Sequence, residues 1–241
     1  MNRKFFHLAL FFSVTLLFSC SSGLFGKTGK GSIITENRLE SSFQVVELQT
    51  SADVEITKGD LFKVEVSDYE NIVSYTSVKI ENNKLVIFKK PETTILVNSK
   101  AKVTITMPDE LISVVLTGSG DIKINSPFKS LETMRIVGSG DISSNDNLNL
   151  VKLNASIIGS GNITAKGSVD NFTALISGSG DLDFLNLIAK EAKCTITGSG
   201  NISINATSTL DVTITGSGNV IYTGNPIVQT TVSGSGRLIH R

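Results

Sequence analysis

The side chains that most often carry out catalysis are scarce in this sequence and poorly placed. The sequence has two histidines, His7 in an apolar amino-terminal segment and His240 beside the carboxyl terminus. A catalytic triad needs a histidine base within hydrogen-bond reach of its nucleophile, and neither position favours that arrangement. No histidine and cysteine cluster has zinc spacing, and no glycine-rich segment opens a predicted helix as phosphate-binding loops do. We therefore predict no catalytic residues and no cofactor, and expect that the protein is not an enzyme.

Cys20 stands where the apolar amino-terminal segment ends, which points to secretion and lipid attachment. A short basic stretch at residues 2–4 precedes an almost wholly apolar run, a pattern typical of a secretory signal peptide. The residues Leu-Phe-Ser-Cys that end at Cys20 resemble the bacterial lipoprotein box, in which the cysteine is acylated after cleavage. An ordinary signal peptide with an incidental cysteine is the alternative. We predict a signal peptide over residues 1–19, a lipid on Cys20, and a flexible tether over residues 20–32.

The tripeptide Gly-Ser-Gly recurs through the second half of the sequence. Successive copies are 18 to 21 residues apart. Near-periodic units indicate a repeat architecture, because one such unit cannot bury its apolar face alone and must stack on its neighbours. The copies begin at Gly118, Gly138, Gly159, Gly178, Gly198, Gly216 and Gly234.

Apolar and polar residues alternate on both sides of each tripeptide. If the first glycine is position zero, positions −4, −2 and +4 are apolar in nearly every copy, as at Ile176 and Leu182 around Gly178. A period of two is typical of β-strands with one buried face. Stacked units would place equivalent residues ~4.8 Å apart, as in a parallel β-solenoid with coils of about 20 residues. The glycines are interpreted as corners, where a side chain would meet the opposite wall or the backbone needs a positive φ. Cys194, at position −4, is interpreted as a core side chain.

Position +3 is the best candidate for a metal site. Carboxylates stacked at Asp121 and Asp141 would repel each other, and a calcium ion would relieve that repulsion. We expect instead that the carboxylates extend into solvent while the asparagines exchange amide hydrogen bonds, so no metal ligand is predicted. The residues at this position are Asp121, Asp141, Asn162, Asp181, Asn201, Asn219 and Arg237.

Two other repeat folds fit the sequence less well. The blade of a β-propeller needs about 40 residues, which is twice the unit seen here. Calcium-binding RTX solenoids use a nine-residue glycine-rich unit, and the second glycine-rich turn that they require is missing from each repeat.

Residues 33–112 lack the tripeptide but keep the alternating pattern. We interpret this region as degenerate coils and an amino-terminal β cap, which would protect the first coil from edge-to-edge aggregation, and assign residues 113–241 to the repeat solenoid. The turn between Glu81 and Lys84 predicts a hairpin. The last coil begins at Gly234, and we expect it to expose apolar edges at which oligomers could form. Strands are predicted at 45–48, 53–56, 62–66, 78–80, 85–88 and 103–107.

The charge balance argues against nucleic acid as a partner. Lysine and arginine together number 22, as do aspartate and glutamate. A nucleic-acid-binding domain usually carries a net positive charge that attracts phosphates, and this chain has none.

Several of these segments carry a family resemblance. Phe43-Gln-Val-Val, Asp53-Val-Glu-Ile and Gly59, followed by the repeated Gly-Ser-Gly-Asp/Asn-Ile, resemble the head GIN domain family, which is common in Bacteroidetes and described as auto-transporter adhesins. The resemblance covers about residues 43–225. It implies a right-handed parallel β-helix and brings no catalytic residues with it.

We therefore expect an all-β solenoid held in the cell envelope, in the outer membrane, by a lipid on Cys20. Its function would be adhesion or binding of an extracellular glycan, matrix component or protein. A structural envelope protein without a ligand is the alternative, and a carbohydrate-active β-helix enzyme fits less well, because short units leave little room for active-site loops. The candidate surface is the polar row at position −1 and the serine row Ser119, Ser139, Ser160, Ser179, Ser199, Ser217 and Ser235.

Overall fold

The computed structural model describes residues 26–39, 41–91 and 96–241. The predicted signal peptide and Cys20 lie outside these residues. The described part is all-β apart from a 3₁₀ turn at Val73–Tyr75, and no helix in it is long and apolar enough to cross a membrane. Its strands are β1 Lys27–Thr28, β2 Ile33–Leu39, β3 Val45–Leu48, β4 Asp53–Lys58, β5 Lys63–Tyr69, β6 Thr76–Glu81, β7 Lys84–Lys89, β8 Leu96–Val97, β9 Lys102–Met107, β10 Ser113–Leu116, β11 Ile122–Ile124, β12 Thr133–Gly138, β13 Ile142–Gly159, β14 Ile163–Gly178, β15 Leu182–Gly198, β16 Ile202–Gly216, β17 Asn219–Thr223, β18 Ile227–Gly234 and β19 Arg237–His240.

The strands stack in parallel as a β-solenoid of about six turns, which confirms the predicted fold class. Each Gly-Ser-Gly is a corner between a pre-corner sheet, formed by the residues before the tripeptide, and a post-corner sheet, formed by those after it. Equivalent residues of successive coils pair directly, as Ile157, Ile176 and Ile196 do. In β13 to β16 the middle residues of each strand form a third sheet, the back sheet. The register of the strand pairing shifts where the chain passes from the post-corner sheet into the back sheet.

Aliphatic ladders fill the interior of the solenoid. Ile157, Ile176, Ile196 and Ile214 are all fully buried, as the alternation predicts. Burying one such side chain contributes about 1.5–3 kcal/mol, and the renewal of the ladder at each coil sums these contributions along the axis. The core is continuous from the first coils to the last ones, because the buried side chains from Phe43 to Val220 form one cluster.

The corner glycines are required by the coil stacked beneath them. A Cβ added to Gly200 would lie 2.0 Å from the carbonyl oxygen of Gly180, and one added to Gly198 would lie 2.3 Å from that of Gly178. The expectation that a side chain would meet the opposite wall is therefore wrong, because the collision is with the neighbouring backbone. Gly198 also has a φ of 131°, a conformation that glycine adopts at little cost.

The order of the first coils does not follow the order of the chain. β3 pairs in parallel with β7 on one side and with β10 on the other. β4 lies in the same way between β9 and β11. The coil of residues 45–58 is therefore enclosed between the coil of residues 84–107, which comes later in the sequence, and the first Gly-Ser-Gly coil.

Antiparallel strands cover the outside of residues 84–107, which confirms the predicted amino-terminal β cap. β5 pairs antiparallel with β9, and β2 pairs antiparallel with β5. β6 and β7 form the predicted hairpin, whose turn residues Asn82 and Asn83 have φ values of 50° and 62°. Both values suit a two-residue turn with positive φ.

The opposite end of the stack is open, as the sequence predicts. β18 pairs with β16, and β19 pairs with β17. In residues 26–39, 41–91 and 96–241 no strand pairs with the outer edges of β18 and β19. Ile227, Val228, Val232 and Ile239 are exposed there.

Candidate binding surface

The residues at position +3 form a continuous hydrogen-bonded ladder along the post-corner sheet. From Asp53 to Asn219, the side-chain oxygen Oδ1 accepts the backbone N–H of the equivalent residue in the next coil of the stack. The distance is 3.0 Å from the N–H of Asp141 to Asp121, 2.8 Å from that of Asn162 to Asp141, and 2.8 Å from that of Asn201 to Asp181. The remaining members of the ladder are Asp53, Asn219 and Arg237. The other four distances from a backbone nitrogen to Oδ1 are between 3.1 and 3.3 Å.

This ladder corrects the expectation that the carboxylates extend into solvent. The carboxylates point along the stack and satisfy backbone donors at the corner, where the strand hydrogen bonds are interrupted. The expected exchange between amides does occur, because Nδ2 of Asn219 donates to Oδ1 of Asn201 at 3.2 Å. Nδ2 of Asn162 donates to the carboxylate of Asp141 at 2.9 Å. The hydrogen bonds of these acids and amides therefore make the ladder a structural element of the corner.

Asp53 belongs to the ladder although it follows no Gly-Ser-Gly. Its Oδ1 accepts the N–H of Asp121 at 3.3 Å. The segment Thr50-Ser-Ala-Asp53 occupies the position of Gly118-Ser-Gly-Asp121, since β4 pairs in register with β11. Comparing the alternating run after Asp53 with the run after Asp121 could have revealed this additional repeat from the sequence.

A substitution at Asp141 tests the structural role of the ladder. Asp141→Ala removes the acceptor of two donors on Asn162, and we expect the free energy of unfolding to fall by about 1 kcal/mol. Asp141→Asn keeps an Oδ1 acceptor and should cost less. Urea unfolding followed by circular dichroism measures both changes. Addition of EDTA should leave the wild-type midpoint unchanged, and a calcium-dependent midpoint would contradict this assignment.

No metal-binding cluster is formed by the residues that the structure describes. Within them no group of three or more His, Cys, Asp and Glu side chains is placed to hold a metal ion. Burial raises the pKa of the Cys194 thiol to about 12, with a further contribution from the charge of Asp211, so the thiol stays protonated near neutral pH. His240 stacks on Tyr222 with ring centroids 4.7 Å apart, and its Nε2 lies 3.0 Å from the Gly224 carbonyl oxygen.

The predicted serine row lies exposed along the corner. Outward-facing hydroxyls also cover the last coils of the pre-corner sheet, where strand pairing aligns them across coils. This hydroxyl face consists of Thr195, Thr197, Thr213, Thr215, Thr231 and Ser233.

A shallow groove of about 230 Å³ runs beside the hydroxyl face, where the back sheet meets the pre-corner sheet. It was not foreseen from the sequence, because its residues come from three successive coils and share no motif. Lys193 and Asp211 approach each other there, with Nζ and Oδ2 3.9 Å apart on exposed side chains. We call it the corner groove, because it lies at the corner between the back sheet and the pre-corner sheet. It is lined by Asn171, Phe172, Thr173, Glu191, Ala192, Lys193, Thr209 and Asp211.

The fold and these surfaces define a parallel β-solenoid that presents polar faces to solvent. A family model described as "putative auto-transporter adhesin, head GIN domain" matches residues 42–226, so the chain belongs to that family. The resemblance found in the sequence is thereby confirmed.

Solved structures agree with this assignment. A "putative adhesin" from Bacteroides fragilis is 25% identical to this chain, with a TM-score of 0.80 over 90% of this chain and 100% of that one. A "putative lipid binding protein" from Parabacteroides distasonis is 27% identical, with a TM-score of 0.76 over 89% and 98% of the two chains. A "putative adhesin" from Parabacteroides merdae, 24% identical with a TM-score of 0.71 over 89% and 98%, shares the fold. No curated protein matches the chain.

Proposed function

We propose that this head GIN protein is a non-enzymatic adhesin of the cell envelope, lipid-anchored to the outer membrane, that binds an extracellular glycan or protein through the corner groove and the neighbouring hydroxyl face. The observation that carries the proposal is the chemistry of the groove. Within about 230 Å³ it offers carboxylates, an ammonium group, an amide and hydroxyls, while the residues beneath it are rigid strands. Such a mixture of donors and acceptors suits a ligand rich in hydroxyl or amide groups.

The rigidity of the solenoid supports a binding role. Glu191 and Lys193 extend from β15, and Asp211 extends from β16, so strand pairing fixes the spacing of their backbones. A site held by strands loses little conformational entropy when a ligand binds, which favours affinity for a repetitive ligand. The groups are solvent-exposed and their ion pair is long, so they are available for exchange with ligand groups.

An array of glycans and matrix proteins tests the binding role. We expect the full chain to be retained on a subset of ligands, and Lys193→Ala and Glu191→Gln to reduce that retention at least about tenfold. Lys90→Ala is the matched control, because Lys90 is an exposed lysine in the coil at the far end of the solenoid, away from the groove. Absence of retention across the array, or equal retention of all variants, would contradict the proposed site. Absence alone would favour the structural envelope role.

Metabolic labelling with palmitate tests the proposed anchor. The sequence contains two cysteines. Wild-type and Cys194→Ala chains should therefore be labelled equally, whereas Cys20→Ala should carry no label and should leave the membrane fraction. A labelled Cys20→Ala chain would exclude the predicted attachment site.

A further inference from the structure

The strand at the open end of the solenoid, β18, exposes apolar side chains that the preceding coils bury. β18 has eight residues, all of them exposed. The residues of the preceding coil that pair with Val228 and Val232 are Leu210 and Ile214. They are 1% and 0% exposed, whereas Val228 and Val232 keep 36% and 43% of their surface exposed. The inward ladder therefore continues into β18 without a cover among the described residues.

The backbone of β18 has hydrogen-bonding groups directed along the axis. In the pre-corner sheet the residues at odd positions donate to the preceding coil, as Asn154, at position −5, does to the carbonyl oxygen of Glu132 at 2.8 Å. Because N–H and C=O directions alternate along a parallel strand, those of Val228, Thr230 and Val232 point away from β16. The side chains of the same three residues point inward.

The edge of β18 lacks the protection that the other end of the stack has. At the amino-terminal end, the edge strand β2 carries an ion pair between Arg38 and Glu36 at 2.7 Å. The edge strand β6 carries one between Lys79 and Glu81, also at 2.7 Å. Charges on an edge strand oppose pairing with another chain. β18, with the sequence Ile-Val-Gln-Thr-Thr-Val-Ser-Gly, has no charged residue.

We propose that the β18 edge binds a second copy of this chain, so that two solenoids join end to end about a two-fold axis through Thr230. Antiparallel pairing centred on Thr230 places Thr230 opposite Thr230 of the second copy, and Val228 opposite the second Val232. In an antiparallel ladder a hydrogen-bonded pair exchanges two bonds, so three such pairs give about six. The residues that would exchange them are the three whose backbone groups are directed outward.

The same register is favourable for the side chains. Valine faces valine on the inward side, which continues the apolar core of each solenoid into the other. A two-fold arrangement also closes at two copies, whereas a head-to-tail stack would continue indefinitely and would place the charged β2 or β6 edge against β18. The basic residues Arg237 and Arg241 lie beyond the corner, and the axis through Thr230 places the two β19 strands on opposite sides.

Sedimentation equilibrium of the full chain in a density-matched detergent tests the proposal. We expect wild-type particles with the protein mass of two chains. Thr230→Pro removes the central N–H donor but leaves the ladder to β16 intact, and Val232→Lys places a charge opposite Val228. Each should raise the dissociation constant at least about tenfold. Thr230→Val, which keeps the N–H, and Ser233→Lys, whose side chain faces outward, should leave the mass at two chains.

The particle masses of the wild type and the variants distinguish the two-fold dimer from a single chain and from a head-to-tail stack. Thermal unfolding followed by circular dichroism verifies that each variant remains folded. A wild-type particle of one chain at all concentrations would overturn the proposal. Particles larger than two chains would replace it by head-to-tail stacking, and an undiminished dimer in folded Thr230→Pro would exclude the β18 register.

Discussion

Gly200→Ala is expected to lower the free energy of unfolding by about 3 kcal/mol. The new Cβ would lie 2.0 Å from the carbonyl oxygen of Gly180 and 3.1 Å from the Cγ2 atom of Ile176. The carbonyl belongs to backbone that is hydrogen-bonded on both sides, so the contact can be relieved only if two coils move apart. Gly200 needs no positive φ, and the whole effect is therefore assigned to this close approach.

Urea unfolding of the purified protein measures the effect of Gly200→Ala. Ser199→Ala is the matched control, since it changes the neighbouring exposed residue of the same corner and should alter stability by less than about 0.5 kcal/mol. Equal stability of Gly200→Ala and wild type would show that the coils separate easily, and the structural explanation of the tripeptide would then be wrong.

Phe184→Ala is expected to have the second large effect, a loss of about 3–5 kcal/mol. Phe184 is fully buried on the inward side of β15, and its ring lies 4.7 Å from that of Phe172, centroid to centroid, at an angle of 55°. Truncation leaves a cavity between two coils whose backbones are fixed by their ladders, so the site cannot collapse to fill it. The tilted ring contact adds to the loss.

The same unfolding measurement checks this prediction. Phe184→Leu keeps most of the volume and should cost less than about 1.5 kcal/mol. The double variant of Phe172 and Phe184 to alanine should lose less than the sum of the two single changes, because the two rings share one contact. A strictly additive double variant would indicate that the rings are energetically independent.

The repeated part of the fold could be predicted from the sequence because one local pattern determines it. Alternation around each Gly-Ser-Gly identifies the inward residues, and equal spacing brings like residues of successive coils together, as with Ile176 and Ile196. Neither inference needs knowledge of distant pairing, since each coil rests on its sequence neighbour.

The amino-terminal coils could not be predicted in the same way, because their stacking is non-local. Nothing in the alternation of β7 indicates that it pairs with β3, which precedes it by about 40 residues in the chain. Thr50 and Ala52 replace the two corner glycines in the coil of residues 45–58. On the side away from Gly118, their coil stacks on β7 and β9, and residues 84–107 contain no Gly-Ser-Gly tripeptide.

The candidate site was only partly accessible to sequence reasoning. The serine row and the Asp/Asn ladder follow from the repeat, but the direction of the carboxylates depends on which backbone donors remain unsatisfied at a corner. The corner groove depends on where the register shifts occur between β14, β15 and β16, and the sequence carries no periodic signal for these shifts.

The enclosure of residues 45–58 between two coils has a consequence for the order of folding. During synthesis the amino-terminal part emerges first, yet β3 and β4 find their outer partners only after β7 and β9 have emerged. The amino-terminal coils therefore form only when residues 45–107 come together, and loop closure over this distance makes that step slow. Later coils then add singly to an existing template, so growth is expected to be rapid and directional, from the amino-terminal end towards β18.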